Sequence, residues 1–418
     1  MINIELKKGK EIQTLTLPKE RLMGILEPAE SGEAPDEQAL VRQALDHPIG
    51  TDRLEEIVRP GETVAILTSD PTRPMPTYKV LPALLDRLEC AGIRPEDITV
   101  YIARGNHRAT TEAERRELIG TDCYERVRCI DTDPLDVEPV GVTKRGTPVD
   151  IDRRVLAADR RICLGNIEYH YFAGYSGGAK AIMPGSSTRA AIQANHRMMA
   201  SPDAHIGKLE GNPVREDIEE GAAMVGADFI LNVVIDTHKR IVWAGAGDMV
   251  EAHRAGCRFL DTMYRFELER EADIVVVSQG GAPKDLNLYQ TQKALENARH
   301  AVRKGGIIVL VGSCREGLGN EVFEQWMVEA EKPRDLVERI GREFVLGGHK
   351  AAMVAEVCER AEVYLVSDME DTFVRQIFMT PFGNVQEAYD AAVRKLGEDA
   401  SVLVMPYGGS TVPIVLNH

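Results

Sequence analysis

Three side chains that could take part in chemistry lie close together in the sequence: His170, Lys180 and His196. The lysine directly follows Ser176-Gly177-Gly178-Ala179. Glycine backbone can approach a ligand closely, so a lysine amine beside it could bond covalently to that ligand. The same lysine could instead clamp a phosphate or be solvated. His196 could ligate a metal, but a lone imidazole would need further ligands from a cofactor, and a surface position is the alternative.

A second polar loop, residues 69–76, carries Asp70, Thr72 and Arg73 among three prolines. Proline fixes the backbone φ angle, so the arginine is held in a preset position. A guanidinium held in this way suits bidentate binding of a carboxylate or a phosphate. We therefore treat this loop as a candidate anion-binding segment.

His107 lies in a third polar loop, directly after Gly105-Asn106. Together with His170 it could supply an acid and a base on two sides of a substrate. The alternative is that the two histidines are unrelated surface or core residues. Spacing alone does not decide between these readings.

A fourth group of polar side chains begins a helix in the second half of the chain. Tyr289, Gln290 and Lys293 follow a glycine-containing loop at residues 279–287. Gln290 and Lys293 are three residues apart and therefore share one face of the helix. They could contact a substrate, or they could form an ordinary solvated helix edge.

The elements that must position these groups alternate between strand and helix. Apolar runs followed by polar loops and amphipathic helices are typical of a parallel sheet in a βαβ arrangement. Loops at the carboxyl ends of such strands share one edge, where open α/β sheets bind ligands. We therefore expect four loops to converge: residues 69–76, 104–108, 165–185 and 279–287.

Two segments interrupt this alternation. Residues 127–153 predict an antiparallel excursion, because short apolar runs are separated there by turn sequences. Residues 230–236 and 239–244 predict a hairpin for the same reason.

The chain of 418 residues is too long for one ordinary core. A long helix is predicted over residues 250–266, and a new α/β series begins at residue 272. We therefore predict two α/β domains with largely parallel, Rossmann-like sheets, residues 1–268 and 269–418. The first would carry the glycine-rich loop, and the second would carry Tyr289, Gln290 and Lys293.

Composition excludes several classes of partner. The net charge of −16 argues against nucleic acid or an anionic membrane, both of which need a basic face. No apolar run approaches 18 residues and no signal peptide is evident, which predicts a cytoplasmic protein. Seven scattered cysteines without a CxxC pair argue against a disulfide framework and a structural zinc site.

Three other functions remain to be weighed. A nicotinamide-dependent dehydrogenase would need a GxGxxG fingerprint after the first strands, which the sequence lacks. A metal site built by the protein would need spacings such as HxH or HExxH, which are also missing. A non-catalytic, small-anion-binding α/β protein would have no need for His107, His170 and Lys180 together. It stays open as an alternative, as does the dehydrogenase.

Taken together, the motifs resemble the nickel-pincer lactate racemase family. The resemblance spans most of the chain, and it depends on the ordered set more than on any one motif. The matching segments are Ser69-Asp70-Pro71-Thr72-Arg73-Pro74, Gly105-Asn106-His107-Arg108, the loop from His170 to Lys180 with Met183-Pro184-Gly185, Asn195-His196-Arg197, and Tyr289-Gln290 with Lys293.

The resemblance implies a cofactor and a role for each of these residues. The cofactor would be a nickel-pincer nucleotide, derived from nicotinic-acid mononucleotide and tethered to Lys180 as a thioamide. Its nickel would be ligated by His196. The catalytic residues implied are His107, His170, Arg73, Gln290 and Lys293. The cofactor-binding residues implied are Lys180, Asp70, Thr72, Ser176, Gly177, Gly178 and Tyr289.

The activity implied is racemisation or epimerisation of lactate or a related 2-hydroxy acid. Hydride would move reversibly to the cofactor while a histidine takes the hydroxyl proton, and the second histidine would serve the opposite enantiomer. The active site would lie in the cleft between the two α/β domains. The partners implied are the 2-hydroxy acid and the enzymes that synthesise the cofactor. The oligomeric state is left open, with a homodimer as one option.

Overall fold

The computed structural model describes residues 1–28, 35–236, 238–343, 345 and 347–416. The chain divides into two compact units. We call Glu30–Asp261 the central unit, and Met1–Ala29 together with Thr262–His418 the terminal unit. No helix among the described residues has both the length and the apolar character needed to cross a membrane.

The strands and helices of the described residues are named here in chain order. The strands are β1 (Ile2–Lys8), β2 (Glu11–Leu17), β3 (Leu22–Ile25), β4 (Val64–Ser69), β5 (Ile98–Ala103), β6 (Arg128–Asp131), β7 (Val137–Val142), β8 (Pro148–Asp152), β9 (Arg160–Asn166), β10 (Tyr169–His170), β11 (Gly174–Tyr175), β12 (Phe229–Ile235), β13 (Ile241–Gly247), β14 (Arg265–Leu268), β15 (Ala272–Ser278), β16 (Val302–Val311), β17 (Glu362–Val366), β18 (Thr380–Phe382), β19 (Val402–Met405) and β20 (Val412–Val415). The helices are α1 (Glu37–Asp46), α2 (Leu54–Ile57), α3 (Thr77–Cys90), α4 (Glu112–Ile119), α5 (Thr121–Arg126), α6 (Arg153–Leu156), α7 (Arg189–Arg197), α8 (Pro213–Val225), α9 (Glu251–Tyr264), α10 (Leu288–Arg299), α11 (Glu321–Glu329), α12 (Pro333–Arg342), α13 (Gly348–Arg360), α14 (Asp371–Gln376) and α15 (Val385–Leu396).

The central unit is built on a six-stranded sheet in the order β13-β12-β9-β4-β5-β6. All neighbours are parallel except β12 and β13. Apolar cores cover both faces of this sheet, which explains why β4 reads as the continuous apolar run Val64–Leu67. Because β9, β4 and β5 are adjacent and parallel, the loops at residues 69–76, 104–108 and 165–185 leave the same edge.

One part of the predicted antiparallel excursion is wrong. Strand β6 joins the main sheet parallel to β5, with Thr99 opposite Arg128. The remainder forms the antiparallel hairpin β7–β8, as expected. The second predicted hairpin is β12–β13, and β12 also pairs in parallel with β9.

The terminal unit contains a second six-stranded sheet, in the order β18-β17-β16-β15-β19-β3. All of its pairs are parallel. The predicted fold class, α/β with largely parallel sheets, is therefore confirmed. The loop at residues 279–287 follows β15, so it belongs to this sheet and not to the edge that carries the other three loops. The prediction that all four loops share one sheet edge is wrong in this respect.

The compact units differ from the predicted ranges 1–268 and 269–418. Residues 1–29 belong to the terminal unit, since β3 pairs with β19 as an edge strand of the second sheet. The division after the central unit falls between Asp261 and Thr262, inside α9. This helix ends at Tyr264, two residues before the predicted end, because the following backbone pairs as β14 with β20.

Candidate active site

Asp70, Thr72 and His107 form one hydrogen-bonded group at the carboxyl ends of β4 and β5. Asp70 Oδ2 lies 3.0 Å from His107 Nδ1. Asp70 Oδ1 accepts hydrogen bonds from the Thr72 backbone N at 3.0 Å and the Thr72 hydroxyl at 2.6 Å. Burial alone would raise the pKa of Asp70, but the bonds from His107 and Thr72 outweigh it and lower the pKa to about 2. Asp70 is therefore ionised at neutral pH.

An ionised Asp70 can only accept hydrogen bonds, so His107 Nδ1 must carry the hydrogen. In the neutral ring this leaves the lone pair on Nε2, where it can accept a proton. The carboxylate also stabilises the imidazolium that would form. His107 itself is exposed. The sequence pointed to both loops but did not indicate that Asp70 and Thr72 act on His107.

Arg73 completes the proline-rich loop, and its backbone N donates to the Asp70 carbonyl at 3.0 Å. The side chain is exposed and forms no ion pair with any other described residue. Its positive charge contributes to lowering the pKa values of His170 and Lys180. Arg73 therefore lies within electrostatic reach of the glycine-rich loop and keeps its guanidinium available for an anion.

His170 occupies β10, which pairs with β11 through His170 and Gly174. Its ring stacks on Tyr171 with centroids 5.2 Å apart, and it meets the edge of Phe172 at 4.5 Å. The Ala173 backbone N donates to His170 Nδ1 at 3.3 Å, so the neutral ring carries its hydrogen on Nε2. Burial lowers the pKa of His170 well below its usual value, and the charge of Lys180 adds to the shift.

His196 lies on α7, whose N-cap Thr188 accepts a hydrogen bond from Ala191 N at 3.3 Å. Phe172 contacts both imidazoles, since its ring centroid lies 4.9 Å from that of His196 and 4.5 Å from that of His170. Within the described part of the chain, no group of three or more His, Cys, Asp or Glu side chains could hold a metal ion. His196 is therefore a single candidate ligand.

Lys180 lies on a 3₁₀ turn, Gly178–Ala181, and its side chain is half-buried. Burial lowers the pKa of the Lys180 amine well below its usual value, and the charges of Arg215 and Arg73 lower it further. The negative charge of Glu168 opposes this shift, but its effect is smaller than those of burial, Arg215 and Arg73. The amine is therefore shifted toward its neutral form, in which it can act as a nucleophile.

The loop residues before Lys180 are fixed by close contacts within the protein. A Cβ atom at Gly177, where φ is +73°, would lie 2.7 Å from Asn232 Oδ1. At Gly178, where φ is +62°, it would lie 3.0 Å from the His253 ring. Ser176 Oγ donates to the Asn166 carbonyl at 2.6 Å and accepts from Glu168 N at 2.8 Å. These glycines are thus required by chain packing, whether or not a ligand also approaches them.

Tyr289, Gln290 and Lys293 lie in the first turns of α10, in the terminal unit. The N-cap Asn287 accepts a hydrogen bond from Gln290 N at 3.1 Å. Buried Lys350 donates to the Tyr289 carbonyl at 3.0 Å, and its Nζ lies 4.2 Å from the Tyr289 ring centroid. Burial lowers the pKa of Lys350 to about 7, and the charge of Lys293 contributes. Lys350 was not anticipated, because a lysine inside a helix gives no signal of burial.

The structure thus joins Asp70, Thr72 and His107 by hydrogen bonds. It also places Lys180, His196 and Arg73 within electrostatic reach of His170. Sequence reasoning missed four residues that hold the glycine-rich loop: Arg215, Asn232, His253 and Asp261. Asp261 accepts hydrogen bonds from the Tyr169 and Tyr175 hydroxyls at 2.6 and 2.7 Å. These four residues lie in ordinary helix and strand patterns, which carry no sign of such a role.

Comparison with known proteins identifies relatives along nearly the whole chain. Residues 8–207 match the model of the lactate racemase N-terminal domain, and residues 268–413 match the lactate racemase C-terminal domain. The lactate racemase of Thermoanaerobacterium thermosaccharolyticum is 35% identical over 425 residues, covering 99% of each chain. That of Lactiplantibacillus plantarum is 32% identical over 421 residues, covering 98% of this chain and 99% of the relative.

Solved structures give the same result. The lactate racemase apoprotein from Thermoanaerobacterium thermosaccharolyticum aligns with a TM-score of 0.88 and 34% identity, covering 99% of this chain and 100% of the other. A protein from Thermotoga maritima aligns with a TM-score of 0.61 at 17% identity, covering 93% of this chain and 100% of the other, and shares the fold. On the domain matches and the two full-length relatives, the chain belongs to the lactate racemase family, a family of isomerases.

Proposed function

We propose that this protein is a 2-hydroxy acid racemase, with lactate as the first substrate to test, and that its cofactor is a nickel-pincer nucleotide tethered to Lys180. Family membership supports the reaction class. The observation that carries the proposal is the complementary hydrogen bonding of two histidines. His107 holds its hydrogen on Nδ1 toward Asp70, whereas His170 accepts at Nδ1 from Ala173 N and so holds its hydrogen on Nε2.

The residues present fit such a cofactor. Lys180 offers a half-buried amine with a lowered pKa, which suits covalent attachment to a carbonyl-type carbon. His196 offers one imidazole, a ligand type that suits nickel. When bound, the cofactor supplies a hydride acceptor that the side chains cannot provide. The attachment and ligation roles are proposals for these two residues.

His107 and His170 divide the proton transfers between them. The Nε2 lone pair of His107 accepts the hydroxyl proton from one enantiomer, and Asp70 stabilises the imidazolium that results. On the other side, His170 returns its Nε2 proton while its Nδ1 takes one up in place of the bond from Ala173 N, so the ring is left neutral with its lone pair on Nε2. In that tautomer His170 is the base for the opposite enantiomer, and the His107 imidazolium returns the proton. Loss of the hydroxyl proton, together with loss of the hydrogen on the substrate carbon as hydride, gives the flat 2-keto acid, which can be reduced on either face.

The remaining site residues are proposed to bind and orient. Arg73 carries no ion-pair partner among the described residues, so it is suited to hold the substrate carboxylate. Asp70 and Thr72 act through His107 in addition to any contact with the cofactor. Ser176, Gly177, Gly178 and Tyr289 keep their proposed contacts with the cofactor, and Gln290 and Lys293 theirs with the substrate. A cytoplasmic location and a homodimer stay predictions.

Co-expression with cofactor-synthesis enzymes tests the proposal. The purified protein should show an added mass on the peptide that contains Lys180, bound nickel, and interconversion of D- and L-lactate. A panel of other 2-hydroxy acids should then identify the preferred side chain. A protein with no adduct that interconverts none of the panel would contradict the proposal. The Lys180→Ala variant is the matched control and should lack both adduct and activity.

A further inference from the structure

Arg215 and His253 are buried side chains of the central unit that have no role in the proposed mechanism. Both nevertheless bind the loop that carries Lys180. Arg215 of α8 is fully buried, with 0% exposure. Its Nε donates to the Ala173 carbonyl at 3.3 Å, and its Nη2 donates to the Tyr175 carbonyl. A buried guanidinium is costly, so these contacts indicate that the loop carbonyls are fixed in place.

His253 of α9 binds the next carbonyl along the loop. Its Nδ1 lies 3.2 Å from Arg254 Nη1, and because arginine has only donors, Nδ1 must accept. The neutral ring therefore carries its hydrogen on Nε2, which donates to the Ser176 carbonyl at 2.7 Å. Burial lowers the pKa of His253 well below its usual value, and the charge of Arg215 adds to the shift, in keeping with a neutral ring.

One carboxylate links the two sides of this network. Glu219 accepts two hydrogen bonds from Arg254, at 2.8 and 2.9 Å. The same carboxylate lies 3.8 Å from Arg215 Nη1. Glu219 therefore supplies the negative charge that offsets the burial of Arg215 and also orients Arg254 against His253. We call these four residues, Arg215, Glu219, His253 and Arg254, the carbonyl-binding network.

The loop is also held through one of its amide hydrogens. Asn232 Oδ1 accepts from Gly178 N at 2.8 Å, and Asn232 is fully buried. The carbonyls of residues 173, 175 and 176 and the amide of residue 178 are thus all bound from outside the loop. All four groups precede Lys180 by seven residues or fewer, so the backbone path to the amine has little freedom.

We propose that Arg215 and His253 are positioning residues that fix the backbone of the Lys180 loop before any cofactor is attached. Their effect would be to present the amine to an incoming carbonyl-type carbon in one geometry. Productive orientation of this kind accelerates bond formation without any contact with the reacting atoms. The inference rests on the proposed function, in that Lys180 is taken as the attachment point.

Paired variants of His253 separate a hydrogen-bond role from simple packing. His253→Gln keeps a side-chain N–H that can reach the Ser176 carbonyl, whereas His253→Leu removes it. Each full-length variant should be co-expressed with the cofactor-synthesis enzymes, and the adduct fraction should be read by intact mass. We expect His253→Leu to carry about 10-fold less adduct than wild type, the scale of a modest misplacement, and His253→Gln to restore most of it. Equal losses in both variants would overturn the proposal.

A matched arginine provides the control for Arg215. Arg161 also donates to three backbone carbonyls, those of Gly226, Leu156 and Ala158, but it lies at the start of β9, away from the loop. We expect Arg215→Met and Arg161→Met to unfold at comparable thermal midpoints. Arg215→Met should lower the adduct fraction, whereas Arg161→Met should keep its adduct. The same loss in both variants would show that stability alone is responsible.

Hydrogen exchange on the protein without cofactor keeps the inference testable if Arg215→Met fails to fold. His253→Leu should speed exchange of the amides at residues 175–180 by about 10-fold or more, and His253→Gln should not. Unchanged exchange in His253→Leu would overturn the proposal. If wild type itself carries no adduct, the proposed function fails, whereas this exchange measurement still decides whether the network fixes the loop.

Discussion

His107 and His170 are the same side chain in two unlike surroundings. His107 is exposed, and its hydrogen is directed by an ionised carboxylate, Asp70. His170 is packed between Tyr171 and Phe172, and a backbone amide directs its hydrogen. The charge of Asp70 sets the tautomer of His107, whereas burial and neighbouring cations keep His170 neutral. The difference indicates how a fold can give two histidines complementary protonation without changing the residue type.

Replacing either histidine should produce the largest effect on this comparison. We expect His107→Ala and His170→Ala each to slow racemisation in both directions by roughly 10²–10⁴-fold, the usual contribution of a general acid or base. Each variant should still release 2-keto acid in a single turnover from the enantiomer whose base remains. The exposed His47→Ala serves as the control. Near wild-type racemisation in either active-site variant would make that histidine a bystander.

Asp70→Asn should sharpen the comparison, because it should change the nitrogen that carries the ring hydrogen in His107 but not in His170. The new amide can donate to His107 Nδ1, which would shift the ring hydrogen to Nε2 and remove the lone pair that accepts the substrate proton. We expect a loss of about 10²-fold in kcat, within the range for general base catalysis, with the protein still folded. Initial rates from each enantiomer, with Asp159→Asn as the control, test this. An unchanged kcat would show that Asp70 does not set the His107 tautomer.

The same carboxylate should make stability depend on pH in a defined window. The folded pKa of Asp70, about 2, is below its unfolded value of 3.8, so its contribution is present above pH 4 and is lost as pH falls toward 2. A shift of this size corresponds to roughly 2 kcal/mol. The gap in urea midpoint between wild type and Asp70→Asn should therefore narrow from pH 7 to pH 3. A constant gap would contradict the lowered pKa.

The smallest expected effect concerns the cations around His170. Arg73 is one of the charges that lower the pKa of His170. Arg73→Met should therefore raise this pKa toward its usual value, because a nearby positive charge disfavours the imidazolium. Titration of the His170 ring proton by NMR in the cofactor-free protein measures the change, with exposed Arg189→Met as the control. A pKa that stays the same or falls would remove Arg73 from the surroundings of His170.

Much of the sheet architecture follows from the sequence because buried parallel strands are continuous apolar runs. The apolar runs at residues 98–103, 272–278 and 362–366 predict strands, and β5, β15 and β17 have these bounds. What local patterns cannot supply is the partner of each strand. The short β6 was therefore assigned to the wrong pairing, and the loop after β15 was placed on the wrong sheet. The sequence predictions do not include the amphipathic helix α15, although its N-cap Asn384 marks its start.

The candidate site, like the fold, is only partly predictable from local sequence patterns. Reactive side chains in glycine- and proline-rich loops stand out from the sequence, and three of those loops do leave one sheet edge. The residues that hold them do not stand out. Arg215 lies in the first turn of α8 and His253 in the first turn of α9, and neither lies in a glycine- or proline-rich motif. Their burial depends on tertiary contacts that no local pattern encodes.

The pairing of β3 with β19 has a consequence for how the protein is made. Leu22 pairs with Val402, so the first strand of the second sheet is synthesised long before the strand beside it. On the ribosome, β1 and β2 can pair with each other at once, but the whole central unit emerges while β3 waits without its sheet neighbour. The central unit is in this sense an insertion into the terminal one, and a nascent chain that stops before residue 402 leaves β3 an unpaired edge, open to association with other chains.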